Sequence, residues 1–242
     1  MTEDFYTDNA EWYAALVAGT RGELDAAVRD LLGPLPGGAV VDIASGVGSC
    51  LPALQDLGAE RLFAVEPSRA MRAGLMTTIA HDPELMSRTT IVPMAFPQAL
   101  EHLPSQWSAG IMFNAIGHLE DSERMMLWNT LRDRLAPGAR FVMTLQPPSE
   151  VTTLPWMDFG DVAVGEHRIV TRGKADPIDA THVLWTIEWT LLDSTGETLE
   201  TRTRAHRWRA LSRAGVTIEA GHADLVPVNT SEHALVVAFE RS

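Results

Sequence analysis

The sequence predicts an α/β fold: a doubly wound, mostly parallel sheet of seven strands, with a β-rich antiparallel insertion after the fifth. Three observations predict it. Short, almost wholly apolar runs, the first being Ala39-Val40-Val41-Asp42-Ile43, alternate with segments whose apolar residues recur near a 3.6-residue period. Strands of that kind are buried on both faces, as in parallel sheets. A turn containing Gly46 and Gly48 follows the first run, and after Pro147-Pro148 the hydrophobic period changes to two.

Each element follows in order. Residues 9–32 place Trp12, Leu16, Leu24, Val28 and Leu31 near helical spacing and stop at Gly33-Pro34. Residues 39–43 are the first strand, and residues 50–57 a helix closed by Gly58. Residues 61–66 form the second strand and 68–80 a helix with Ser68 as its cap. Residues 89–92 and 109–114 read as strands three and four, residues 121–135 as a helix ended by Pro137-Gly138, and 140–145 as strand five. Val183, Trp185, Ile187, Trp189 and Leu191 then share one strand face; the turn Asp193-Ser194-Thr195-Gly196 joins that strand to another over 197–208. Residues 216–220 and 234–239 are expected to supply strands six and seven. The domain boundaries expected are a core over 1–148 that includes the N-terminal helix, an insertion over 149–211, and a return to the core sheet over 212–242.

The chain has 242 residues, 45% of them hydrophobic and 21% charged, with a mean hydropathy of -0.01, as in ordinary globular proteins. Thirty-two acidic against 19 basic side chains give a formal charge of -13, which repels nucleic acid and anionic lipid. No apolar stretch is long enough to span a bilayer, and the acidic start, Met1 to Tyr6, is unlike a signal peptide. With one cysteine, Cys50, the chain has no internal disulfide and fits a cytoplasmic location; Cys50 itself reads as a small buried residue. The eight histidines lack zinc spacing, so no metal is expected.

In an open parallel sheet, ligands sit at the carboxyl ends of the strands. Here that place holds Asp42, the turn Ala44-Ser45-Gly46-Val47-Gly48, and Glu66 at the end of the second strand, where a carboxylate suits a ribose diol. A dinucleotide fingerprint requires a third glycine where this chain has Leu51. The acid before the turn, Glu66-Pro67-Ser68, and the stretch Asn114-Ala115-Ile116-Gly117-His118-Leu119-Glu120-Asp121 together resemble the class I S-adenosylmethionine (SAM) methyltransferases, whose sheet is Rossmann-like. The resemblance covers about residues 5–146 and the last two strands. It is strongest to bacterial small-molecule methyltransferases of natural-product metabolism, which have an N-terminal aromatic helix and a β-rich insertion after strand five.

The resemblance implies SAM as cofactor, S-adenosylhomocysteine as product, and methyl transfer to nitrogen or oxygen of a small organic acceptor, with a homodimer as one open assembly. It implies that the backbone around Ala44, Ser45 and Gly46 meets the methionine part of SAM, that Glu66 takes the ribose hydroxyls, and that Asp42 and Gly48 also belong to the cofactor site. Pro67 or Met71 would flank adenine, Ala95 and Phe96 would hold it by backbone and packing, Asn114 would meet the methionyl ammonium, and Arg21 its carboxylate. Tyr6, Trp12 and Tyr13 would form a lid. The chain departs from the family at Ala44, which stands at the first glycine position; at Pro93-Met94-Ala95-Phe96, where relatives often carry an acid; and at 212–215, where they have a full helix.

Methyl transfer depends mainly on placing the acceptor atom and excluding water, and a base assists when the acceptor is protonated. His118 is the candidate base or else a loop histidine bonded to backbone; His206 is the second candidate. Arg202, Arg204, His206 and Trp208 share a strand face, which binds an anionic substrate if it lines a cavity and is a solvated stripe if it faces water. Trp185 is likewise either substrate contact or core. Two further readings remain: a SAM enzyme that performs an internal displacement or rearrangement, and a SAM-binding protein without catalysis.

Overall fold

The computed structural model describes residues 6–230 and 232–242; the acidic start at 1–5 lies outside the described residues. The chain divides into two compact units, residues 23–146 with 211–242 and residues 1–22 with 147–210. The expected breaks after 148 and 211 fall at 146 and 210, and residues 1–22, expected with the core, group with the insertion.

The larger unit is a seven-stranded sheet of order β10-β11-β5-β4-β1-β2-β3. Its strands are β1 (Ala39–Ile43), β2 (Arg61–Val65), β3 (Thr89–Val92), β4 (Trp107–Met112), β5 (Leu135–Thr144), β10 (Leu225–Val228) and β11 (Val236–Arg241). All neighbours are parallel except β11, which runs antiparallel to β5 and β10. Alternate residues of each strand feed two cores, which explains the wholly apolar runs. Val41, Ile43, Phe141 and Met143 pack with Leu127, Trp128 and Leu131 of α5 (Asp121–Arg134) and with Val216 and Ala220 of α6 (Arg213–Gly221). On the opposite face, Val40, Leu62, Ala64 and Ile111 pack with Ala27, Val28 and Leu31 of α1 (Ala10–Leu32), Leu54 of α2 (Leu51–Asp56), Leu75 and Ile79 of α3 (Arg69–Ala80), and Leu85 of α4 (Pro83–Arg88). Because β1 pairs with β2 on one side and β4 on the other, the strand order reverses at β1, and the crevice for a ligand opens there.

One expectation is overturned. Residues 216–220 are not a strand but the body of α6, so the helix expected to be missing is present. The β-branched run Val216-Thr217-Ile218 favours a strand locally, but a strand would put Val216, Ile218 and Ala220 on one face. The structure buries Val216 and Ala220, four residues apart, and leaves Ile218 62% exposed, while the Ser212 hydroxyl caps the helix by accepting the Gly215 N–H at 3.1 Å. Strand six is instead Leu225–Val228. Helix α4 was also not anticipated; Asp82 caps it and Pro83 opens it.

The smaller unit is an antiparallel sheet of order β6-β7-β8-β9, with β6 (Leu154–Val164), β7 (His167–Pro177), β8 (His182–Leu192) and β9 (Thr198–Arg209). The β8–β9 turn is tied by the Asp193 carboxylate, whose Oδ1 accepts N–H bonds from Thr195 and Glu197 at 2.8 and 2.9 Å. The inner face buries two apolar clusters. One is Val183, Trp185 and Trp208 with Ala175, covered by Val151, Leu154 and Met157; the other is Ile187 and Trp189 with Trp12 of α1. The first half of α1 crosses this face, and a Cβ on Gly19 would lie 3.2 Å from Val162 of β6. No helix among the described residues is long and apolar enough to cross a membrane.

Candidate functional site

The candidate site is built where β1 and β2 end. The backbone turns out of β1 through two left-handed residues, Ala44 (φ 59°) and Gly46 (φ 56°), and Gly48 (φ 76°) adds a third. Alanine at φ 59° costs roughly 1–2 kcal/mol relative to a right-handed conformation, so the surrounding contacts must impose the turn. They do so from several sides. Ser45 N–H donates to Val65 O at 3.0 Å, Gly48 N–H to Ser45 O at 2.8 Å, and Thr78 Oγ1 to Val47 O at 2.7 Å. Val47 seats on Gly74 of α3, where a Cβ would lie 2.7 Å from its Cγ1, and a Cβ on Gly48 would meet Leu75 Cδ1 at 2.5 Å. Gly46 differs: nothing lies within 4 Å of where its Cβ would be, so its outer side is open for a ligand to approach the backbone.

Glu66 holds this turn. Its Oε2 accepts the Gly46 N–H at 2.8 Å and its Oε1 the Ser68 N–H at 2.7 Å, while its own N–H donates to Val92 O. Arg72 Nη1 donates to the Glu66 and Pro67 carbonyls at 2.9 and 2.6 Å, fixing the bend that aims the carboxylate. Each Glu66 oxygen keeps acceptor capacity beyond the bond described, since an ionised carboxylate offers about four lone-pair sites. Asp42 is 4% exposed, as is Glu66. Burial, reinforced by the Glu66 charge, pushes the Asp42 carboxyl up to about 8, so at neutral pH it is the protonated member of the pair.

At the end of β4, Asn114 is also left-handed, at φ 53°. Its N–H donates to Thr144 Oγ1 at 2.7 Å, and that hydroxyl donates to Asn114 Oδ1 at 3.1 Å, so the end of β5 fixes the direction of the amide. His118 follows in the 3-10 turn Ile116–His118. His118 is an exposed residue, yet desolvation by the surrounding protein penalises its charged form and brings the imidazole down to about 4. His118 is therefore neutral at pH 7, the form a base requires. The turn bearing it is anchored by Arg124, 3% exposed, which donates to Leu119 O at 3.1 Å and forms a two-point ion pair with Glu219 of α6. Trp128 Nε1 adds a bond to the same carboxylate at 2.9 Å.

The larger unit thus gathers Asp42, Ala44, Ser45, Gly46, Gly48, Glu66 and Pro67 around one turn, with Asn114 at the end of β4. Met71 is buried in α3, Ala95 is exposed after β3, and Phe96 is buried in the core. The remaining expected site residues belong to the smaller unit. Tyr6 stacks edge-on against Tyr13 at 5.1 Å, and Arg21 is an exposed residue of α1. Trp185 donates its indole N–H to Pro147 O at 3.0 Å within its cluster. Arg202 and Arg204 both bind Asp8, Arg204 through an ion pair at 3.2 Å, and His206 packs edge-on against Trp208 at 5.9 Å. Sequence reasoning missed Arg72, Thr144 and Arg124. Thr144 was within reach of it, since β4 and β5 are parallel neighbours and their ends fall side by side; Arg72 and Arg124 act on carbonyls and left no signal.

Two open cavities lie away from this turn, one of about 360 Å³ between α6, β10 and β11 and one of about 320 Å³ at the amino ends of β1 and β4. The chemistry-bearing groups converge on neither. Among the described residues, no three His, Cys, Asp or Glu side chains are grouped to hold a metal.

No family model matches the chain, and no curated protein matches it in sequence. Solved structures do match its fold. A SAM-bound amino pentose methyltransferase, CalS10 of Micromonospora echinaspora, is 13% identical, with all of both chains covered and a TM-score of 0.70. DesVI of Streptomyces venezuelae is also 13% identical over all of both chains, with a TM-score of 0.71. The sugar N-methyltransferase KedS8 of Streptoalloteichus sp. is 16% identical over 99% of this chain and 88% of its own, with a TM-score of 0.64. The chain therefore has the α/β fold of these structures, insertion included.

Proposed function

We propose that the protein is a SAM-dependent methyltransferase acting on nitrogen or oxygen of a small organic molecule. One observation carries the reading: a buried carboxylate, Glu66, is clamped to the N–H groups of Gly46 and Ser68 beside a left-handed turn whose outer side is open. A carboxylate, with about four lone-pair sites, suits the two hydroxyls of a ribose, and the open flank of Gly46 suits a ligand lying along the backbone. Bound there, SAM supplies an electrophilic methyl group on a sulfonium. The protein supplies the rest: Glu66 orients the nucleoside, Asn114 with its fixed amide offers Oδ1 to an ammonium, and Asp42, held protonated, adds no second negative charge behind Glu66. His118, neutral at pH 7, is the group for taking a proton from the acceptor. Two methyltransferases that share the fold, CalS10 and KedS8, act on an amino pentose and a sugar, and the charge of -13 supports a small acceptor over nucleic acid.

Turnover tests the reaction. Incubation with SAM and a panel of small amines and alcohols, followed by mass spectrometry, is expected to yield S-adenosylhomocysteine together with an acceptor heavier by one methyl. Methylthioadenosine formed from SAM alone would establish an internal displacement and overturn the proposal.

A further inference from the structure

Among the described residues, Asn9, Trp12 and Trp189 of the smaller unit are buried side chains with polar atoms that have no hydrogen-bond partner. Asn9, at the entry to α1, is 0% exposed, and neither its Nδ2 nor its Oδ1 has a hydrogen-bond partner. The indole Nε1 atoms of Trp12 and Trp189, residues 3% and 0% exposed, are equally orphaned. The three are neighbours. Trp12 packs in one cluster with Trp189 and Ile187, and Asn9 precedes it by one helical turn. Arg202, the ladder partner of Trp189, lies over the Trp12 ring at 5.7 Å and donates to the carbonyl of Asp8, next to Asn9. Trp185 supplies the contrast: on the same strand and face, its N–H is satisfied by Pro147 O. Unmade hydrogen bonds cost free energy, and a cluster of them calls for a reason that packing does not provide.

We infer that Asn9, Trp12 and Trp189 form a subsite for a hydroxyl-bearing ring of a small organic molecule. The balance of donors and acceptors selects that chemistry. Both indoles only donate, whereas the Asn9 amide donates and accepts. A carboxylate or phosphate would satisfy the N–H groups and oppose Asn9 Oδ1; an ammonium would satisfy Oδ1 and leave both indoles unpaired. A hydroxyl accepts from one partner and donates to another, and the flat indoles suit the C–H faces of a ring. The cover over Trp12 is the Arg202 side chain, 32% exposed and held by Glu200 and the Asp8 carbonyl, so a ligand enters by displacing it. Binding at this subsite stands on its own and does not depend on the methyl-transfer reading.

Two measurements test it. The indole N–H signals of Trp12 and Trp189, assigned in ¹H–¹⁵N spectra with Trp12→Phe and Trp189→Phe, are followed during titration with D-glucosamine and with cyclohexylamine, a ring amine without hydroxyls. Both signals are expected to move with glucosamine, neither with cyclohexylamine, and neither with glucosamine in Asn9→Leu. Asn9→Leu, which replaces two orphaned polar atoms with methyl groups of similar shape, is expected to raise the ligand-free Tm by about 2–4 °C. A fall in that Tm, silence of the wild-type indoles toward glucosamine, or an equal response to cyclohexylamine would each overturn the inference. Failure to bind S-adenosylhomocysteine would overturn the methyl-transfer reading alone.

Discussion

Replacing Asp42 with Asn should make the protein more stable at neutral pH, and by an amount that depends on pH. The folded chain raises this carboxyl from 3.8 to about 8 because it is buried beside Glu66. Between these values the folded state keeps a proton that the unfolded chain has released. Stability contributed by the protonated group is therefore fully present below about pH 4 and is lost as pH rises toward 8. One proton released per molecule changes stability by about 1–2 kcal/mol per pH unit, so between pH 5 and pH 7 the wild type loses about 3 kcal/mol that Asp42→Asn, neutral throughout, retains. The assay is urea denaturation of both proteins at pH 5, 6 and 7, with the difference between them taken at each pH so that titrating groups away from Asp42 and Glu66 cancel. A difference growing in favour of Asp42→Asn is expected. A flat difference, or one growing in favour of the wild type, would mean that Asp42 is ionised in the fold and would refute the reasoning.

Four further outcomes follow from the same geometry. Gly48→Ala should destabilise by about 2–3 kcal/mol, because its Cβ meets Leu75 at 2.5 Å and its φ is left-handed, whereas Ala44→Gly should stabilise by about 0.5–1 kcal/mol by relieving a left-handed alanine; thermal melts distinguish the two signs. His118 should titrate by NMR near pH 4 rather than 6.5. Because its folded value is the lower one, the stability it contributes is present above 6.5 and is lost as pH falls toward 4, so His118→Gln should resist acid in that window better than the wild type. Arg124→Met should cost about 2 kcal/mol in denaturant, because it removes the two-point ion pair to Glu219, leaving that carboxylate the Trp128 N–H, and the bond to the Leu119 carbonyl.

Much of this fold was legible because burial on two faces writes itself into composition. The runs at β1, β2 and β4 are apolar without alternation since both cores draw on them, and β8 alternates since only its inner face is buried. Helix α6 was not legible, because Val216-Thr217-Ile218 favours extended backbone locally and only packing of Val216 and Ala220 decides otherwise. The β6–β7 hairpin was read only as β-rich: Gly160, at φ 98°, sits at a shift of register in β6 and breaks its alternation. At the site, Glu66 and the turn stood out because residue type and spacing carry their chemistry. Arg72 and Arg124 did not, since residue type and spacing do not mark the carbonyls they bind, and Thr144 is legible only from the pairing of β4 with β5. Arg202 and Arg204 were open to two readings, and the structure places them on Asp8, with Arg202 also over Trp12. The orphaned atoms of Asn9, Trp12 and Trp189 have no sequence signature at all, because a missing partner is a property of three dimensions.

The central claim, that the turn and Glu66 bind SAM, is tested most directly by calorimetry with S-adenosylhomocysteine on the wild type and on Glu66→Ala. The account predicts one site per chain and, with two charge-assisted hydrogen bonds removed, an affinity about 100-fold lower in the variant. Binding of NADH in place of S-adenosylhomocysteine, or equal affinity in Glu66→Ala, would contradict it.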